Sequence, residues 1–400
     1  MTRKKELAGR FVFASLSLVA ALLVFEVLLR IFTSEPQNLA KLKASLVFLH
    51  ENKANATFAY SRDEDGFNNT ISINSYGFRD DEFKKEKDPN VFRIAVLGDS
   101  QEEALQVKLA DTWQKVMAKK LSSELVRKAA IGEPRFTRVE SYNFGVSGYG
   151  TDQQWLTLRE KVWQFSPDMV ILAFSPNDVG DTFKNGLARV KDGKLEVISA
   201  KERAGGNILG RLARETYTYH LIVKSASGSE LTKRLIENVR VKILGFPKEE
   251  RFFQSDAQLV QGPFEVIASQ KNPPKEVGDT WKIVEALIFD MQKQAEGHGA
   301  KFLITINIPR AQVSPSGWES LMDQYHLDPA VSSPQEINDV LAGFAREAGI
   351  TVYDPREEAV AWTGDFGILH FRHDGHFNVN GNLFMGTKVA DFILANDLIR

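Results

Sequence analysis

The sequence predicts an α/β protein of the doubly wound kind, a parallel five-stranded sheet with helices packed on it. Three observations carry this. Five compact apolar runs recur along the chain, amphipathic helical patterns lie between them, and polar residues suited to chemistry follow several of the runs. Compact, β-branched runs of this kind fit strands buried on both faces. Their alternation with helices fits βαβ units.

The N-terminus comes first. Residues 1–10 carry Arg3, Lys4, Lys5 and Arg10 against one acid, Glu6. They form a basic flank to an apolar run, uncharged from Phe11 to Phe25 and continuing to about Thr33. At ~1.5 Å per residue, the roughly 23 residues of 11–33 span about 34 Å, enough to cross a bilayer core. Glu26 and Arg30 stand four apart, so they can pair on one helix face and reach the far interface. The basic flank predicts a cytoplasmic N-terminus, which places the rest of the chain outside the cytoplasm. A cleaved signal peptide is the competing reading, but no small-x-small cleavage site follows the run. Residues 34–89 are polar and irregular and read as a stalk and lead-in segment.

The strand runs are Phe92–Leu97, Val139–Asn143, Met169–Phe174, Phe302–Ile308 and Ile350–Tyr353. Among the helices, one carries Val284, Leu287, Ile288, Met291 and Ala295, opened by Asp279 and closed by Gly297. Another carries Ile337, Val340, Leu341, Phe344 and Ala348 behind Ser333-Pro-Gln-Glu336, a capping box with proline at the first helical position. A last helix runs from Val379 to Ala395 after Asn378. From about 183 to 278 the alternation fails. Charged helical patterns such as Leu209–Val223 and Leu231–Ile243 replace it, and they read as a helical insertion, a cap over the site.

Composition narrows the function classes. With 43% hydrophobic and 26% charged residues the chain can bury a full core, and a net charge of −2 disfavours a nucleic-acid partner. The absence of cysteine removes thiolate chemistry. Nothing in the sequence calls for a cofactor.

Ligands of such sheets bind beyond the carboxyl ends of the strands. Gly98-Asp99-Ser100 follows the first strand, where a tight turn can present a hydroxyl beside a free N–H. After the second strand comes Asn143-Phe-Gly145-Val-Ser-Gly148-Tyr-Gly150, where glycine lets backbone approach a ligand. After the third comes Ser175-Pro-Asn177-Asp178, with an amide able to donate to an oxyanion or simply to make a turn. After the fifth strand and a loop, His370-Phe-Arg-His373-Asp374-Gly-His376 supplies an imidazole with a carboxylate two residues away. Its three histidines also suggest a metal site, but Gly375 would break a helix carrying them and no fourth ligand stands out.

In this order the four segments resemble the blocks of the SGNH (GDSL-type) hydrolase superfamily, over roughly residues 74–395. Asn74-Ser-Tyr-Gly-Phe-Arg79 and the extended Gly-Asp-Ser-Gln-Glu-Glu103-Ala-Leu-Gln-Val107 resemble its membrane-anchored bacterial branch. The resemblance implies a flavodoxin-like sheet, with residues 90–400 as the hydrolase domain. It implies Ser100 as nucleophile, His376 as general base and Asp374 as its partner, with the Ser100 N–H, Gly148 N–H and Asn177 side chain forming an oxyanion hole. Two positions depart from the family pattern. Ser175 stands where glycine is usual, and His373 stands where the Asp of Asp-x-x-His is usual, leaving Asp374-Gly-His376 with a shorter spacing. Phe377, Asn378 and Gly381 continue the family pattern and favour His376 over His373.

Together with export, the resemblance implies a single-pass inner-membrane, periplasm-facing esterase. Its substrate would carry O-acyl, in particular O-acetyl, groups on a polysaccharide. An O-acyltransferase using the same serine, or a non-catalytic scaffold or carbohydrate-binding protein, are the alternatives.

Overall fold

The computed structural model describes residues 2–33, 37–129, 135–199, 216–225, 251–254, 259–362 and 369–399. The chain divides into two compact units, one of residues 1–44 with 203–248, the other of 45–202 with 249–400.

In the first unit a helix runs from Thr2 to Phe32. Its stretch Gly9–Phe32, 24 residues containing an 18-residue window of mean hydropathy 2.5, is long and apolar enough to cross a membrane. The expected pair is present, Arg30 Nε donating to Glu26 Oε1 at 2.8 Å. The unit also holds a short helix, Tyr217–Ser225.

The second unit is built on five parallel strands: β1 (Val91–Leu97), β2 (Arg138–Asn143), β3 (Met169–Phe174), β4 (Lys301–Ile306) and β5 (Thr351–Tyr353). Their order is β5-β4-β3-β1-β2, and every pairing is parallel. This is the five-stranded, flavodoxin-like sheet expected from the sequence. All of β1 and β3 is buried, and successive side chains go to opposite faces. Ile94, Val96, Ile171 and Leu303 join one core, under the helices Trp113–Ala129 and Val379–Ala395. Ala95, Leu97, Leu172 and Ile304 join the other, under the helix Lys275–Gly297. Apolar runs without polar alternation therefore report burial on two sides. Where the helices Trp113–Ala129 and Val379–Ala395 cross, a Cβ at Gly386 would lie 2.5 Å from the Trp113 carbonyl, so only glycine permits their approach.

Several sequence expectations are corrected. Residues 45–89 belong to the sheet-bearing unit, with an antiparallel hairpin of Thr57–Arg62 and Phe67–Ser72. They are no stalk, because Phe58, Phe67, Ile71, Phe78 and Phe83 are buried. The helix expected to open at Asp279 begins at Lys275, directly after Pro274. Ser333 does not cap a helix through its third residue. Its hydroxyl accepts the Gln335 N–H at 3.2 Å in a turn, and the helix starts at Glu336. The stretch 183–278 is not all helical, since it contains the hairpins Ala188–Lys191/Lys194–Val197 and Arg251–Gln254/Leu259–Gly262. Leu231–Ile243 lies outside the described residues, and of Leu209–Val223 only the part from 216 onward is described.

Candidate active site

β1 ends at Leu97 and the chain turns at once into a four-residue helix, Ser100–Glu103. Asp99 closes that turn: its Oδ1 accepts the Gln101 N–H at 2.9 Å, and its own N–H donates to Glu102 Oε2 at 3.0 Å. The reciprocal bonds form a capping box. Gly98 is demanded by close approach, because a Cβ there would fall 2.0 Å from Glu102 Oε2. Ser100 is thereby held, partly exposed, at the carboxyl edge of the sheet.

Glu102 lies beneath it, fully buried. It accepts from Trp113 Nε1 and Asn307 Nδ2, each at 3.0 Å, besides the Asp99 N–H. Burial, with the Asp99 charge adding to it, pushes its carboxyl up to about 8. Burial likewise raises Asp99 above the usual carboxylate range. Asn307 also donates to the Ser175 hydroxyl at 3.0 Å, so the serine that replaces the family's glycine has a partner.

His376 Nε2 lies 2.8 Å from Ser100 Oγ, and its Nδ1 is bonded to Asp374 Oδ1. The three residues expected from the sequence thus form one chain of hydrogen bonds. Its carboxylate end has two further supports, Gln106 Nε2 on Oδ1 at 2.9 Å and Arg62 Nη1 near Oδ2 at 3.5 Å. Burial raises the Asp374 carboxyl, but its bond to His376 and the Arg62 charge outweigh this and leave it below the usual range.

The other two histidines of that segment are engaged elsewhere. His370 is buried, with Nε2 2.7 Å from the Ile308 carbonyl, and burial lowers it to about 4, so it is the neutral ring that donates there. His373 is exposed, and its backbone N–H donates to Asp65 Oδ1 at 2.9 Å. Among the described residues, no group of three His, Cys, Asp or Glu side chains is placed to hold a metal ion.

Gly148 follows β2 with φ +77°, a left-handed conformation that suits glycine. The neighbouring Ser147 donates its N–H to Glu103 Oε2 at 2.9 Å, which ties this turn to the short helix of Ser100. Asn52 Nδ2 completes Glu103 on its other oxygen at 2.9 Å. Asn177 reaches the site through Asp99. Its Nδ2 donates to Asp99 Oδ2 at 2.9 Å and to Asp181 Oδ2 at 3.0 Å, and these two bonds account for both amide hydrogens.

Sequence reasoning missed Arg62, Gln106 and Asn307. Gln106 lies inside the extended Gly-Asp-Ser motif, where nothing local marks it as a partner of a carboxylate 268 positions away. Arg62 sat in a segment read as irregular, and no local pattern announces a bond to a residue 312 positions away.

A parallel sheet of this order, with Ser, Gly, Asn and an Asp/His pair on four loops at its carboxyl edge, has the architecture of the SGNH hydrolase fold. No family model and no curated protein matches the chain. Solved structures that align with it include an acetyl xylan esterase, at 13% identity and TM-score 0.37, covering 76% of this chain and 100% of that one. A lipase/acylhydrolase from Enterococcus faecalis aligns at 12% identity and TM-score 0.37, covering 76% and 96%. A GDSL-like lipase from Bacteroides thetaiotaomicron VPI-5482 aligns at 13% identity and TM-score 0.32, covering 76% and 88%. The fold assignment rests on the strand order and the four loops of the chain itself.

Proposed function

We propose that the protein is a serine ester hydrolase that removes O-acyl groups, O-acetyl in particular, from an extracytoplasmic polysaccharide. The single observation that carries the chemistry is the 2.8 Å contact between Ser100 Oγ and His376 Nε2, with Asp374 bonded to the opposite ring nitrogen.

In the reaction, Ser100 Oγ attacks the ester carbonyl carbon while His376 Nε2 takes the hydroxyl proton. Asp374 holds the ring in the tautomer whose Nε2 is free to accept, and stabilises the imidazolium that forms. The carbonyl electrons move to oxygen, where the Ser100 and Gly148 N–H groups and Asn177 Nδ2 donate. The imidazolium then protonates the leaving sugar oxygen, and the C–O bond breaks. Water, deprotonated by the same ring, releases the acid and restores Ser100. For Asn177 to take part, one of its carboxylate bonds must give way. Asp181 is the one to release, since its side chain is partly exposed and water can replace the amide.

Asn177→Ala is expected to lower kcat by ~10²–10³, a loss of ~2.7–4 kcal/mol in the transition state. It should also lower stability by about 1–3 kcal/mol, because the buried Asp99 loses a donor. Steady-state kinetics beside a thermal melt separate the two effects, and near-normal turnover would remove Asn177 from the mechanism.

The apolar N-terminal helix with its basic flank supports the substrate class, since an anchor read that way would hold the domain on the side where exported glycans lie. Incubating the full chain with an O-acetylated polysaccharide tests the reading directly. Free acetate released to water is the expected product. Acetyl transfer to an added sugar acceptor in preference to water would identify an acyltransferase, and neither product would leave a non-catalytic binder.

A further inference from the structure

The first unit contains an arrangement that the catalytic chemistry does not use. Glu26 is the sole acid in the apolar stretch Gly9–Phe32. Its carboxylate is spent on another helix. Oε1 accepts the Tyr217 N–H at 2.9 Å, while Oε2 accepts the Thr218 N–H at 2.9 Å and the Thr218 hydroxyl at 2.8 Å. Two of the N–H groups that any helix start leaves unpaired are thus satisfied by a side chain from a helix about 190 positions earlier. Arg30 pairs with the same carboxylate and sets its guanidinium 4.9 Å from the centre of the Tyr217 ring.

Depth follows from this contact. Glu26 lies six residues before Phe32, or about 9 Å along the helix axis. A carboxylate at that level of a bilayer is costly unless it is partnered, and the partners here are the first residues of the helix Tyr217–Ser225. One turn further along that helix, Leu221 and Ile222 are 42% and 49% exposed. Beside Glu26 on the membrane helix, Phe25 and Leu28 are exposed to a similar degree. Both helices thus carry exposed apolar side chains within about a turn of the Glu26 contact. Tyr217 and Tyr219 have the aromatic character favoured at a membrane interface.

We infer that residues 216–225 form a second membrane contact, a short interfacial helix fastened by Glu26 to the spanning helix and presenting Leu221 and Ile222 to lipid. This inference rests on the reading of Gly9–Phe32 as a membrane span, and is independent of the esterase chemistry. The occupant of the exposed apolar face is the bilayer, because Glu26 fastens this helix to the span itself, at a level where the span's own exposed residues are given to lipid.

The chain contains no cysteine, so single thiols can be placed in the full protein at Val19, Leu221, Ile222 and, as a water-exposed control, Lys191. In phosphatidylcholine/phosphatidylglycerol proteoliposomes, a membrane-impermeant maleimide should modify Lys191→Cys rapidly and the other three at least tenfold more slowly. A bimane attached at 221 or 222 should be quenched by brominated lipid. Glu26→Ala should raise the rate at Ile222→Cys at least tenfold and leave Val19→Cys protected. Fast labelling at 221 and 222 with Val19 protected would overturn the inference while leaving the anchor standing. Fast labelling at all three would overturn the anchor reading beneath it. Protection without quenching by brominated lipid would replace lipid by a protein surface, such as a second copy, and would also overturn the assignment.

Discussion

Ser100→Ala is expected to reduce kcat/KM on an acetyl ester by about 10⁴-fold or more, because without the hydroxyl no acyl-enzyme can form. The fold should survive. Ser100 is partly exposed and its hydroxyl makes one described hydrogen bond, to His376, so its removal should change stability by no more than about 1 kcal/mol. Labelling by a serine-directed phosphonate, followed by intact mass, gives a second readout. Wild type should gain one adduct, and the variant none. An unchanged rate, or a variant that still takes the label, would move the nucleophile elsewhere.

Asp374→Asn is the second large effect, expected at about 10³–10⁴ in kcat with KM little changed. The amide can offer an N–H towards Nδ1 and so favour the tautomer whose Nε2 carries the proton, the form that cannot take one from Ser100. The loss should therefore appear in the rate of acyl-enzyme formation, measured as the burst of a chromogenic leaving group. Arg62 lies on the Oδ2 side and can keep the amide oxygen, whereas Gln106 donates to Oδ1, the atom facing His376, and must turn its carboxamide over to accept from the new N–H. A reduction below tenfold would show that the ring is oriented without it.

The parts of the protein legible in the sequence are those whose signal is local. β1 and β3 stand out because a strand buried on both faces favours apolar side chains at successive positions; Met169–Phe174 supplies them throughout, and Val91–Leu97 at every position but the buried Arg93. Ser100, His376 and Asp374 could be named because each lies on the loop after a strand, or beside such a loop, in a family-like order. The lead-in hairpin was hidden for the opposite reason. Phe58, Phe67 and Ile71 alternate with polar residues that face water, and the segment's worth to the site lies in a bond from Arg62 to a distant loop. Helix starts misled where proline was involved. Pro274 precedes a helix that the sequence reading opened at Asp279, and Ser333-Pro-Gln-Glu336 had the spacing of a cap but makes a two-residue turn instead. Asn177 was found, but its present bonds to Asp99 and Asp181 were not foreseeable, since Asp181 becomes a neighbour only once Asn177 is followed by a helix.

Two buried acids, Glu102 at the nucleophile turn and Asp152 in the first turn of the helix Thr151–Thr157, make folding a proton-uptake reaction. Glu102 rises from an ordinary 4.5 to about 8 in the folded protein, and Asp152, also driven by burial, rises from 3.8 to about 7. Between those limits the folded chain retains protons that the unfolded chain has already released, so the folded state binds more of them and stability declines as pH rises. This contribution is full below the unfolded values, is lost as pH rises through 7 to 8, and levels off above. Ester attack needs an unprotonated imidazole and so pulls toward higher pH. These two acids therefore favour the folded domain most on the acid side of the range in which its proposed reaction would run.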